Sequence, residues 1–114
     1  MSAITSHILD TSRGRPASGI AVSLEHLQDS GEWTLIGRDQ TNDDGRAQQL
    51  LSDSHPLTIG RYRLSFELAR YFDEMSVESF YPSASIVFEV RDADEHYHVP
   101  LLLNPYGYST YRGS

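Results

Sequence analysis

The sequence predicts an all-β domain, a two-sheet sandwich of about eight strands with one short helix. Three observations carry that expectation. Apolar and polar residues alternate in short runs along the chain, the mark of strands with one face buried. Clusters of Gly, Pro, Asp and Asn separate those runs at the spacing of sandwich turns. Only one stretch departs from the two-residue period. With 114 residues, no repeat and no linker, the chain reads as a single domain over 1–114.

The first strand runs from Ile4 to Leu9 and closes in "DTSRGRPASG", a loop of turn formers. Ile20, Val22 and Leu24 then alternate with Ala21, Ser23 and Glu25 in a half-buried strand. After "QDSGE" comes the strand "WTLIGRD", ended by "TNDDG", whose Asn, Asp and Gly tolerate positive φ and bond their own backbone. "AQQLL" reads as a further short strand. Tyr62, Leu64, Phe66 and Leu68 alternate with Arg61, Arg63, Ser65 and Glu67 in the next. "ARYFDEMS" breaks the period and sets Tyr71, Phe72 and Met75 at helical spacing, which predicts the helix. "ASIVFEV", "HYHVPLLL" and "YSTYRGS" complete the set, with "NPYG" as a turn before the last. Pro100 cannot donate a ladder hydrogen bond, so it predicts an edge or bulge position within "HVPLLL".

Composition removes several function classes. There is no cysteine, hence no thiol nucleophile, thiolate metal site or disulfide framework. The net charge is −7 and every basic residue is arginine. An acidic chain with scattered arginines lacks the clustered positive charge that nucleic acid needs. Without lysine there is no Schiff-base chemistry and no P-loop. The start "MSAITSHILD" has no signal-peptide pattern, no run is long enough to span a bilayer, and Arg-Gly-Ser is not a peroxisomal ending. The expectation is a cytoplasmic protein.

The five histidines divide by context. His26 and His55 lie in polar loop-like stretches. His7 stands between Ser6 and Ile8 in an apolar strand, where a half-buried, backbone-bonded imidazole is the plain reading. His96 and His98 lie two apart on one strand, so both side chains leave the same face. With His7 they could hold zinc and an activated water. Alternatively, an imidazole near neutral pH can itself take a proton from water. Arg46 follows the "TNDDG" turn, and its planar guanidinium suits a carbonyl-rich or anionic ligand. If the final strand is regular, Arg112 and Ser114 share a face and Tyr111 points the other way. The carboxylate pairs Asp43–Asp44, Asp73–Glu74 and Asp94–Glu95 sit in loops or the helix and read as solvated.

"SHILDTSRGRPASGIAVSLE", "TNDDGR", "GRYRLSFEL", "FYPSASIVFEV" and "HYHVPLLLNPYGYSTYRGS" together resemble the transthyretin-related family over nearly the whole chain. The ending Tyr-Arg-Gly-Ser resembles its hydrolase branch rather than its hormone carriers. Ser83 departs from the acidic residue common after "FYP" in relatives, without functional consequence. The resemblance implies a transthyretin-like sandwich assembled as a homotetramer, a dimer of dimers, with sites in the channel between dimers. It implies metal-free hydrolysis of 5-hydroxyisourate, with no cofactor, nucleic acid or membrane. It carries catalytic roles to His7, Arg46, His98 and Ser114, and substrate binding to His7, Arg46 and Tyr111. His96 falls outside that set. A transthyretin-like carrier holding an aromatic ligand is the alternative, and its channel would be apolar. A sandwich with no pocket is a weaker one, because it leaves the dense ending unexplained.

Overall fold

The computed structural model describes residues 2–114. The elements in chain order are β1 (Ile4–Asp10), β2 (Arg15–Pro16), β3 (Ala21–Leu27), β4 (Trp33–Gln40), β5 (Arg46–Ala47), β6 (Gly60–Glu67), α1 (Ala69–Glu74), β7 (Ser83–Val90), β8 (Tyr97–Asn104) and β9 (Gly107–Thr110). They form two sheets. One runs β2-β1-β8-β9, with β5 also paired to β1; the other runs β4-β3-β6-β7.

Period-two alternation decides which side chains meet between the sheets. From β1 and β8 the inward set includes Ile4, Ile8 and Leu101; from the other sheet it includes Leu24, Tyr62 and Phe66. All of these are essentially buried, and each contributes ~1.5–3 kcal/mol over exposure. The six-residue helix is too short to stand alone and is fastened from two sides. Phe72 enters the core, and the Tyr71 hydroxyl donates to the buried Asp10 carboxylate at 2.7 Å. No helix among the described residues is long and apolar enough to cross a membrane.

The unusual pairing is β1 with β8. They run parallel over seven residue pairs, Ile4 beside Tyr97 through Asp10 beside Leu103. This brings the two ends of the sequence together at the centre of one sheet.

Three expectations change. "AQQLL" is not a strand: only Arg46–Ala47 pairs, with His7 and Ser6 of β1. Beyond it the chain lies against β4, where a Cβ on Gly37 would stand 1.6 Å from the Leu50 carbonyl oxygen. Pro100 is not on an edge, because β8 lies between β1 and β9. Its missing donor interrupts the ladder on the β9 side instead. β9 stops at Thr110, opposite Leu101, and pairing resumes only at a single bridge between His98 and Gly113. Both pairs keep one register, so Pro100 stands where a hydrogen-bonded partner for Tyr111 is needed and supplies no N–H. The Thr110 hydroxyl donates to the Pro100 carbonyl at 2.7 Å across the gap. The final segment is therefore not one regular strand.

Candidate active site

The outer face of the β1–β8 sheet gathers polar side chains from three neighbouring strands. Register explains how. Thr5 stands beside His98, and His7 stands between Pro100 on one side and Arg46 on the other. Paired residues leave a sheet on the same face. Ala47 and Ser6 are wholly buried inward, so Arg46 and His7 project outward.

The turn before β5 fixes Arg46 through its backbone. Asn42 Oδ1 accepts from the amides of Asp44 (2.9 Å) and Arg46 (3.0 Å). Gly45 has φ +75°, and a Cβ there would lie 2.5 Å from the Ile8 carbonyl oxygen. Only glycine allows that approach. The same turn presents the Asp44 carbonyl to His7, whose Nε2–H donates to it at 2.8 Å. A carbonyl only accepts, so the neutral His7 ring keeps its bare lone pair on Nδ1. The half-buried Arg46 guanidinium has no hydrogen-bond or ion-pair partner among the described residues, and its five donors await a ligand.

His98 is half-buried, with Nδ1 2.8 Å from the Thr5 hydroxyl oxygen. The same oxygen lies 3.1 Å from Nε2 of His96. Gly113 closes over His98: its amide donates to the His98 carbonyl at 2.8 Å, and a Cβ would stand 2.5 Å from ring Cδ2. A glycine is thus needed in the closing Arg-Gly-Ser. Burial first, then the Arg46 cation, then His7 and His96, hold the His98 imidazole below its ordinary pKa of 6.5. It is neutral and basic at pH 7.

Arg46, His98 and Ser114 line one shallow cavity of ≈ 200 Å³, with Thr5, Gln48 and His96 also in its wall. His7 sits next to it on β1. Tyr111 does not join them. Where the ladder breaks, the Arg112 guanidinium is drawn to Glu95 at 2.7 Å and lies over the Tyr97 ring at 4.5 Å. Tyr111 and Arg112 consequently line a separate recess at the open edge between the sheets, beside Ile86, Phe88 and Val99. Arg112 and Ser114 therefore face different cavities. His26 stacks on Tyr62 in the other sheet, far from this face in the fold, and the three carboxylate pairs are exposed. His7, His96 and His98 do not converge as a three-ligand metal group among the described residues.

Thr5 and Gln48 were not singled out by the sequence reading as parts of the site, and His96, weighed there as a zinc ligand, fell outside the set that the resemblance implied. Thr5 could have been found, since it lies two before His7 and so shares its face. His96 shows the same parity with His98. Nothing local marks Gln48.

A family model described as HIUase/Transthyretin family matches residues 4–113. The chain belongs to that family. Within it, a probable 5-hydroxyisourate hydrolase of Caenorhabditis elegans is 48% identical over 97% of this chain and 81% of its own length. The solved 5-hydroxyisourate hydrolase of Klebsiella pneumoniae is 40% identical, with TM-score 0.82 over 97% of this chain and 98% of that one. Sea bream transthyretin in complex with thyroxine superposes with TM-score 0.91 at 27% identity, covering 98% and 95%. Backbone shape thus fits both branches of the HIUase/Transthyretin family. Sequence identity is higher to the hydrolases, at 40–48%, than to the sea bream transthyretin, at 27%.

Proposed function

We propose that the chain is a 5-hydroxyisourate hydrolase of urate degradation, opening the six-membered ring at its cyclic amide to give 2-oxo-4-hydroxy-4-carboxy-5-ureidoimidazoline. The observation that carries this reading is an unpaired, half-buried guanidinium beside a histidine kept neutral, both in the wall of one polar cavity. The identity to named hydrolases supports it.

In this mechanism a histidine takes a proton from water while the oxygen bonds to the amide carbonyl carbon. The carbonyl electrons move onto oxygen, and Arg46 donates to the oxyanion as it forms. Collapse breaks the carbon–nitrogen bond, and the imidazolium returns its proton to the leaving nitrogen. His98, with Nε2 free of protein partners and open to solvent, is the base; His7 orients water and substrate. Ser114 hydrogen-bonds the ring. Tyr111 lies outside this cavity in its own chain. General base catalysis of this kind supplies ~10²–10⁴-fold, and positioning adds to it.

The cavity is small beside the roughly 300–1,000 Å³ of ordinary ligand pockets, and it opens on a flat sheet face. A second copy facing this sheet would close it, which supports a homotetramer, a dimer of dimers, with sites between the dimers. Freshly made 5-hydroxyisourate, generated with urate oxidase, should lose its ultraviolet absorbance much faster with this protein than alone. No acceleration at micromolar protein, together with saturable thyroxine binding, would favour the carrier branch.

A further inference from the structure

We propose that His96 is a positioning residue that sets the tautomer of His98 through the Thr5 hydroxyl, so that His98 Nε2 carries the bare lone pair. The inference deepens the hydrolase reading and rests on it for its catalytic consequence, though not for its structural content.

The geometry starts from one oxygen. Thr5 Oγ1 lies 2.8 Å from His98 Nδ1 and 3.1 Å from His96 Nε2, and Thr5 is only 4% exposed. A hydroxyl has one proton to donate and two lone pairs to accept with. Set between two ring nitrogens, it satisfies both only by donating to one and accepting from the other. Two arrangements follow. If Thr5 donates to His96 Nε2, it accepts from His98 Nδ1–H, and the neutral His98 ring has no proton on Nε2. If His96 Nε2 carries a proton and donates to Thr5, the hydroxyl turns to His98 Nδ1. The His98 proton then sits on Nε2, where water would have to be deprotonated. One rotation of a hydroxyl thus separates a competent base from an incompetent one.

The free nitrogen is placed for use. Nε2 of His98 has no protein partner, and no half-buried side-chain nitrogen is sealed off without one, so it meets solvent in the cavity. Gly113 packs against Cδ2, the ring carbon bonded to Nε2 and turned away from Nδ1, and so fixes that side of the ring. The two rings lie 6.4 Å apart and nearly parallel, at 17°, which holds both nitrogens toward the shared oxygen. The charged and titratable side chains that share the cavity with His96 are Arg46 of β5 and His98 of β8. Glu95 and Arg112 flank it, and Arg112 also reaches the His96 carbonyl at 3.4 Å. Of the two arrangements, only the one in which Thr5 donates to His96 Nε2 leaves the bare nitrogen of His98 facing the cavity.

Sequence parity placed His96 and His98 on one face. The parallel β1–β8 register supplied what the sequence does not display, a threonine between them.

The test labels all histidines with ¹⁵N in the full chain and reads ring protonation by long-range ¹⁵N–¹H correlation at pH 8. His98 signals are assigned by their loss in His98→Gln. The expected result is His98 protonated on Nδ1. His96→Phe and Thr5→Val should each shift it toward Nε2–H and lower kcat about 10- to 100-fold, with KM changed less than about twofold, a fraction of the general-base effect. Thr5→Ser should keep both the tautomer and the rate. A wild-type His98 protonated on Nε2 would overturn the proposal even if both variants failed to fold. So would variants that lose rate with the His98 tautomer unchanged. A wild type with the Nδ1–H tautomer but no acceleration of substrate decay would leave the tautomer lock standing and remove the hydrolase reading.

Discussion

The two outer faces of this sandwich are built from the same strand geometry and finish differently. On the β3–β6–β7 face, an arginine and a hydroxyl pair near the centre are satisfied by neighbours. Arg63 is held by Glu25 through two bonds, at 2.8 and 3.0 Å, and its guanidinium lies over Trp33 at 4.4 Å. Ser65 and Ser85 bond each other at 3.1 Å across the strands. On the β1–β5–β8 face, Arg46 has no partner among the described residues and His98 presents an open nitrogen. Around Arg63 the first face is finished by folding. The second is left with donors and an acceptor for something else, and that incompleteness marks the site better than pocket size does. A larger recess of ≈ 540 Å³, beside Ile86, Phe88 and Val99, lies elsewhere, at the β7 and β9 edges.

Exchanging the arginines tests this contrast most severely. Arg46→Gln should lower kcat/KM by roughly 10²–10³, the usual cost of one oxyanion donor, with the thermal midpoint nearly unchanged. Arg63→Gln should do the reverse: activity within about twofold, and stability lower by on the order of 1 kcal/mol, read by urea unfolding. Equal activity losses from both would dissolve the distinction.

A smaller effect is expected from Gly113→Ala. The added methyl would meet His98 Cδ2 at 2.5 Å and Pro100 Cγ at 3.3 Å, so either the ring or the chain end must move. Misplacement of a catalytic group by ~1 Å costs up to about 10²-fold, and the loss should fall on kcat with the fold intact by circular dichroism. Unchanged kinetics would mean that the closing segment does not hold the imidazole.

The least change is expected in the pH profile. Burial and then Arg46 lower the His98 pKa below 6.5, so its neutral form persists into more acid solution. The acid limb of kcat/KM should therefore lie below pH 6.5. In Arg46→Gln the cation is gone while burial remains, and the limb should move part of the way back up. A limb above 6.5 in the wild type would point to a different base.

Much of this was legible from side-chain parity alone. The alternation of Tyr62, Leu64 and Phe66 predicts β6, and Tyr71, Phe72 and Met75 at helical spacing predict the helix. Arg46 after an Asn-Asp-Asp-Gly turn and the same-face pair His96/His98 also stand in the sequence. What was hidden depends on contacts between distant segments. No local pattern shows that β1 lies parallel to β8, so Thr5 appeared as one more strand threonine. Pro100 sits in an interior strand because its missing donor falls where β9 has already ended. The directions of Tyr111 and Arg112 depended on whether the final strand is regular, which no local pattern decides. A broken ladder frees two residues, and Glu95 and Tyr97 capture one of them.

Strand β5 has a consequence for redesign. It is two residues long, touches the core through Ala47, and is clipped on one side by the Asn42 turn and on the other by the contact of Leu50 with Gly37. Between those clips Arg46 and Gln48 face the cavity while the sandwich takes little from them. The segment behaves as a cassette. Changing its exposed side chains would alter which ligand is held while the packed interior stays as it is, giving an engineer a place to retune recognition without remaking the fold.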